Sequence, residues 1–170
     1  MNGGHGDPPA DRDHPADCGG ASPPDRWDFF VSYAAADRTW AEWIAWQLED
    51  AGFQVLIQAW DFVPGSHWMT RMADGVRGAD RVIAVLSYAY SRSPYERAVR
   101  EEAFAVDPDG RTRRVIPIRV EDCPCPVLLN RVRSFDLFGL SEDEARSVLL
   151  DRIHAAVDGR GKPPTEPLYP

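Results

Sequence analysis

WDFFVSYAAADRTWAEWIAWQLEDAGFQVLIQ, residues 27–58, carries a strand, a helix and a second strand in immediate succession. WDFFVSY (27–33) is a short apolar run of the kind that forms a buried strand. Asp37 stands where it can cap a following helix, and Trp40, Trp43, Ile44, Leu48 and Ala51 then fall on one helical face before Gly52 ends it. FQVLIQ (53–58) reads as a strand again. Two strands joined through a helix run parallel, so this stretch announces a parallel sheet.

Working outward, the same alternation continues. AWDFVPGSH (59–67) is read as a loop, after which Ser66 can cap a helix carrying Trp68, Met69, Met72 and Val76. RVIAVLS (81–87) is a third and clearly buried strand, followed by a helix near 94–106. RRVIPIRV (113–120) and RSFDLF (133–138) supply a fourth and a short fifth strand. Ser141 and Glu144 form a capping box for a last helix with Ala145, Val148, Leu149, Ile153 and Val157 inward. Strands and helices of these lengths imply an α/β fold with helices on both faces of a parallel sheet. Five strands predict the flavodoxin-like order 2-1-3-4-5, whose ligands bind beyond the carboxyl ends of the strands. Here that crevice is lined by the loops after Tyr33, Gln58 and Ser87.

At 170 residues and 44% hydrophobic, the chain suits one domain with a real core. Residues 1–25 are Gly-, Pro- and Asp-rich without a large aliphatic or aromatic side chain after Met1, so they are expected to be a disordered tail. The domain is expected over 26–158, and residues 159–170 read as a Pro/Gly linker or tail leading into a larger multidomain protein. No apolar stretch spans a bilayer or makes a signal peptide, which predicts a cytoplasmic protein without a membrane partner. A formal charge of -8 argues against nucleic acid. Cys123 and Cys125 are too close for an unstrained disulfide, Cys18 lies in the tail, and no further ligand cluster makes the C-x-C pair a metal site.

Several occupants of a doubly wound fold are excluded by their chemistry. The chain has neither G-x-x-x-x-G-K-[ST] nor G-x-G-x-x-G, so neither a P-loop nor a Rossmann phosphate cradle is present. The third strand ends in Ser87, where a phosphoacceptor receiver needs an aspartate. Ser32 lies in FVSY rather than in G-x-S-x-G, and two of the four histidines, His5 and His14, are in the tail, which disfavours a nucleophile elbow and a His-based triad.

What remains resembles a Toll/interleukin-1 receptor (TIR) domain, in wording most like the bacterial members. DFFVSYAAADRTWAEWIAWQLEDAGFQV resembles the family's first box, and QAWDFVPGS its second, with Trp60 in place of the usual arginine. LSYAYSRSPY resembles the segment S-x-x-Y-x-x-S-x-[WY], matched at Ser87, Tyr90, Ser93 and Tyr95, while FDLF matches the third box weakly. The resemblance covers about 26–158. It implies a ligand site at Ser32, Tyr33, Trp60, Asp61, Ser87 and Tyr95, and an interaction loop at Phe62, Val63, Pro64 and Gly65. Read without the resemblance, Phe29 and Tyr33 are core residues, Pro64–Gly65 a turn and Asp61 a loop cap.

Many TIR domains cleave NAD+, with a glutamate four residues after the aromatic of that segment to stabilise positive charge at the ribose C1. Counted from Tyr95, the position holds Val99. Two neighbours are candidate replacements. Glu96 follows Ser93 by three and also reads as half of a capping box. Glu102 lies about 20° from Tyr95 around the helix, two turns along, and either takes a catalytic role or pairs with Arg81 or Arg119. Glu101 points away and is expected to be solvated.

Trp46 lies roughly 130° from the centre of the first helix's apolar stripe. It is either an exposed interface anchor or packed under a loop or the tail. The resemblance therefore implies a module that self-associates with other TIR domains in a bacterial immune-like or stress response and requires no cofactor. The alternatives are an NAD+ glycohydrolase, with NAD+ as substrate, and a pseudo-enzyme that senses an NAD-derived nucleotide.

Overall fold

The computed structural model describes residues 26–61, 68–93, 107–124 and 132–162, together with positions 97, 99, 101, 105 and 129. Within them, β1 (Trp27–Ser32) leads through a 3-10 turn at Ala35–Asp37 into α1 (Arg38–Asp50) and β2 (Val55–Ile57). There follow α2 (Gln58–Asp61), α3 (Trp68–Gly78), β3 (Ala79–Leu86) and α4 (Tyr88–Arg92). Positions 97, 99, 101 and 105 are helical, and β4 (Val115–Arg119), β5 (Phe135–Asp136) and α5 (Glu142–Asp158) complete the chain. The five strands form one sheet in the order β2-β1-β3-β4-β5. All its neighbours are parallel, as in the register Phe30↔Val82 and Val85↔Ile118.

Alternation along the strands sends residues to two cores. Phe29, Val31, Ile83, Val85 and Ile118 pack with Ile44 and Leu48 of α1 and Leu149 and Ile153 of α5. Phe30, Leu56, Val82, Ala84 and Leu86 pack on the opposite face with Val76, Tyr90, Val99 and Leu129. The sheet is therefore buried on both sides, which explains why its strands read as continuous apolar runs. Helix α3 approaches that second face closely at Gly75, where a Cβ would stand 2.6 Å from Leu56 Cδ2 and 3.1 Å from Phe30 Cδ2.

Several local expectations are corrected. The strands are shorter at their ends than the apolar runs, except β3, which begins earlier, at Ala79. The stretch after β2 does not open as a loop: α2 starts at Gln58, and the Asp61 carboxylate accepts a hydrogen bond from the Ile57 amide at 2.7 Å. Asp37 precedes α1 but makes no capping hydrogen bond to it, because its carboxylate is held elsewhere, as described below. The box at α5 forms as expected, the Glu144 carboxylate accepting from the Ser141 amide at 2.9 Å and its hydroxyl at 2.7 Å. These bonds to the ionised form hold the Glu144 carboxyl below its usual range.

Candidate functional site

Strands β1, β3 and β4 deliver their last residues to one end of the sheet, at the crossover point between β1 and β3. Ser32 closes β1 and is buried, its Oγ 3.2 Å from the Oη of the fully buried Tyr90. Ser87 follows β3, is equally buried, and has three roles. Its Oγ accepts from the Tyr90 amide at 3.0 Å and so caps α4, while its hydroxyl donates to Asp37 Oδ2 at 2.5 Å. Its carbonyl accepts from the Ser91 hydroxyl at 2.9 Å. Glu121, just past β4, accepts from the Tyr88 amide at 2.9 Å. The result ties the turn after β1 to the turns after β3 and β4.

Asp37 is the electrostatic centre of this cluster. Burial pushes its carboxyl above the ordinary 3.8, the Ser87 hydroxyl pulls it back in part, and the negative charge of Glu121 raises it further. A carboxyl perturbed by burial and a like charge at a strand-end crevice is a functional-site signature, though structural networks produce it too. At the rim, Trp60 and Tyr88 are exposed. Among the described residues no group of three or more His, Cys, Asp or Glu side chains is placed to hold a metal.

A family model described as TIR domain matches residues 29–150, well over half of the chain. The chain belongs to the TIR domain family. Solved structures agree on the fold of this TIR domain. It is similar to the TIR domain of the Toll-related receptor TRR-2 of Hydra magnipapillata, at 21% identity and a TM-score of 0.64, covering 78% of this chain and 98% of that one. It is also similar to a TIR-STING receptor from C. gigas solved in complex with 2',3'-cGAMP, at 22% identity and a TM-score of 0.60. There the match covers 81% of this chain but only 40% of the receptor. No curated protein matches the chain. No helix among the described residues is long and apolar enough to cross a membrane.

Ser32 and Ser87, each 2% exposed, both bond to Tyr90, whereas Tyr33, 8% exposed, packs in the core on the other face of the sheet. Trp60 is open to solvent and Asp61 is half-buried against the Ile57 amide. Tyr95, Glu96, Glu102 and the loop residues Phe62, Val63, Pro64 and Gly65 lie outside the described residues. Val99, at the position the resemblance assigns to an acid, is 6% exposed and belongs to the core cluster that also holds Phe30, Leu86 and Tyr90. Arg119 holds Asp136 through Nε and Nη2, at 2.6 and 2.7 Å. Glu101 is exposed and Trp46 is 65% exposed.

Sequence reasoning missed Asp37, Tyr90 and Glu121 as members of this cluster. Asp37 was legible only as a helix cap, and nothing local reveals a partner fifty residues away. Tyr90 did carry a signal, because it is one of the matched positions of the segment S-x-x-Y-x-x-S-x-[WY].

Proposed function

We propose that this TIR domain works as a self-associating signalling module, relaying its signal through TIR–TIR contacts in an immune-like or stress response. The observation that supports this reading most directly is Trp46. Helix α1 buries Ala41, Ile44, Ala45 and Leu48 against the sheet and turns Trp46 outward, with 65% of its surface open. The T-shaped Trp40–Trp43 pair, with centroids 6.0 Å apart, does not include it. Tryptophan is enriched among interface anchors, because its indole brings a large apolar area together with a polar N–H. Other domains of a larger protein would set the local density of the module, and with it the extent of association.

Sedimentation velocity of the 170-residue chain across a concentration series tests this. Self-association that weakens about tenfold or more in Trp46→Ala is expected. A monomer at every concentration, or association indifferent to Trp46→Ala, refutes it.

A second reading, cleavage of NAD+, has one observation in its favour: the raised Asp37 carboxyl at the strand-end crevice. Against it stands the burial of Val99. NAD+ consumption by wild type, Glu96→Gln, Glu102→Gln and Asp37→Asn, with and without forced clustering, decides it. Turnover lost in a single variant makes this TIR domain an enzyme and names its acid, whereas no turnover in clustered wild type removes the reading.

A further inference from the structure

The amino-terminal end of the sheet, remote from the cluster just described, holds a cleft of about 600 Å³ between the starts of β4 and β5 and the end of α5. Five arginines line it (Arg113, Arg114, Arg133, Arg152 and Arg160) against two aspartates, Asp107 and Asp109. This inverts the charge of a chain whose formal net charge is -8.

The two aspartates offset only part of it. Asp107 turns its carboxylate onto the amides of Thr112 and Arg114, at 3.1 and 3.2 Å, and these bonds hold its ionised form. Asp109 approaches Arg111, at 3.9 Å. Two of the arginines are structural. Arg113 donates through Nε to the Ala156 carbonyl at the end of α5. Arg114 donates to the Asp80 and Val76 carbonyls but keeps a buried Nε without a hydrogen-bond partner among the described residues. The other three, Arg133, Arg152 and Arg160, are exposed and have no ion-pair partner among the described residues. Like-charged guanidiniums held around one concavity repel one another, and that cost is offset when an anion joins them.

We propose that this cleft binds a small anion carrying two or more phosphates. Guanidiniums match phosphate oxygens with paired, directional donors, and several of them around one site suit a diphosphate better than a carboxylate. The volume falls within the range of small-molecule sites, so a nucleoside diphosphate is about the largest ligand it holds. Val115, Ile116 and Phe135 add an apolar wall to which the phosphates contribute nothing. The site is separate from the Trp46 surface and from the strand-end crevice, so it stands or falls independently of both readings above.

Isothermal titration calorimetry of the 170-residue chain with inorganic diphosphate, ADP and adenosine tests the proposal. Diphosphate is expected to bind saturably at one site and adenosine not to bind. Equal affinity for diphosphate and ADP assigns the whole ligand to the arginines. ADP binding about tenfold tighter assigns a nucleoside to the apolar wall as well. Arg152→Glu and Arg160→Glu, both at exposed positions, are each expected to weaken diphosphate binding about tenfold or more, with the wild-type circular dichroism spectrum retained. Trp46→Ala is expected to leave it unchanged. Absence of saturable diphosphate binding at millimolar concentration overturns the proposal, and so does affinity indifferent to both arginine variants.

Discussion

At the carboxyl end of the sheet four polar side chains bond to one another, whereas at the amino end three arginines around a cleft make no ion pair among the described residues. Ser32, Asp37, Ser87 and Tyr90 form a closed set: each hydroxyl or carboxylate meets a partner inside the fold. Arg133, Arg152 and Arg160 surround a cleft and make no ion pair among the described residues. The doubly wound architecture directs attention to the first end, because strand ends and a crossover point create a crevice there. In this TIR domain the buried polar side chains at that end are engaged with one another, and a positively charged concavity lies at the other end. Architecture says where a ligand can be reached; the pairing of the side chains says whether anything is left to meet it.

The strongest way to break this contrast is to restore an acid at the closed end. Val99→Glu places a carboxyl in a core of Phe30, Leu86 and Tyr90, and burial of an uncompensated polar group costs about 2–7 kcal/mol. The sign with pH is definite. Burial raises the folded-state pKa of the introduced glutamate above its unfolded value, so the variant is least penalised in acid and loses stability as pH rises through the folded value. Urea denaturation at acidic and neutral pH measures both quantities. A variant as stable as wild type at neutral pH shows that the crevice has room for the acid after all, and revives the enzymatic reading.

At the amino end the corresponding change is Gly159→Ala. Gly159 ends α5 in the left-handed region, at φ 78°, with its amide on the Ala155 carbonyl. An added Cβ would stand 2.9 Å from Arg113 Nη1, beside the guanidinium that reaches the Ala156 carbonyl. Left-handed backbone alone costs a non-glycine residue about 1–2 kcal/mol. Thermal unfolding is expected to show that loss. If Arg113 is displaced, diphosphate binding changes too, which separates the helix cap from the cleft it borders.

How much of this was legible in the sequence follows the range of each interaction. Strand and helix placement rest on local periodicity and on Gly52, the strand order on the alternation of five strands with helices, and both ends of α5 are written nearby, in Ser141–Glu144 and in Gly159. The short helices α2 and α4 were not legible, because four or five residues carry too little periodicity to show a face. Asp37 misled for a related reason. An aspartate before a helix is a cap by every local rule, yet here Ser87 competes for it from across the sheet. The arginine cleft was invisible because its members come from three separate stretches, near 113, 133 and 152–160, and only the packing of α5 beside β4 and β5 unites them.

Within the closed end, Tyr90→Phe gives a smaller effect. It removes one member of the buried hydroxyl pair with Ser32 while keeping the ring in the core. A loss of about 1 kcal/mol is expected, measured as a shift of the urea midpoint with an unchanged slope. A double-mutant cycle with Ser32→Ala isolates the pair, and a coupling near zero would show that the two hydroxyls sit together without bonding.

The smallest effect concerns Asp37, and it is the most specific. Its folded-state carboxyl lies above the ordinary 3.8, chiefly through burial and secondarily through Glu121, with Ser87 opposing. A raised carboxyl favours the fold when protonated, so its contribution is fully present below the unfolded pKa and is lost as pH rises through the folded value. Asp37→Asn keeps an acceptor for the Ser87 hydroxyl and removes the titration. Wild-type stability relative to the variant is therefore expected to fall across an acid window that begins near the unfolded value and extends upward, then to stay flat toward neutrality. Chemical denaturation at several pH values measures the difference. Adding Glu121→Gln to both chains removes the like charge and narrows the window from its upper side. A difference that instead grows with pH places the folded carboxyl below its ordinary value, which makes the Ser87 hydrogen bond, rather than burial, the dominant force on Asp37.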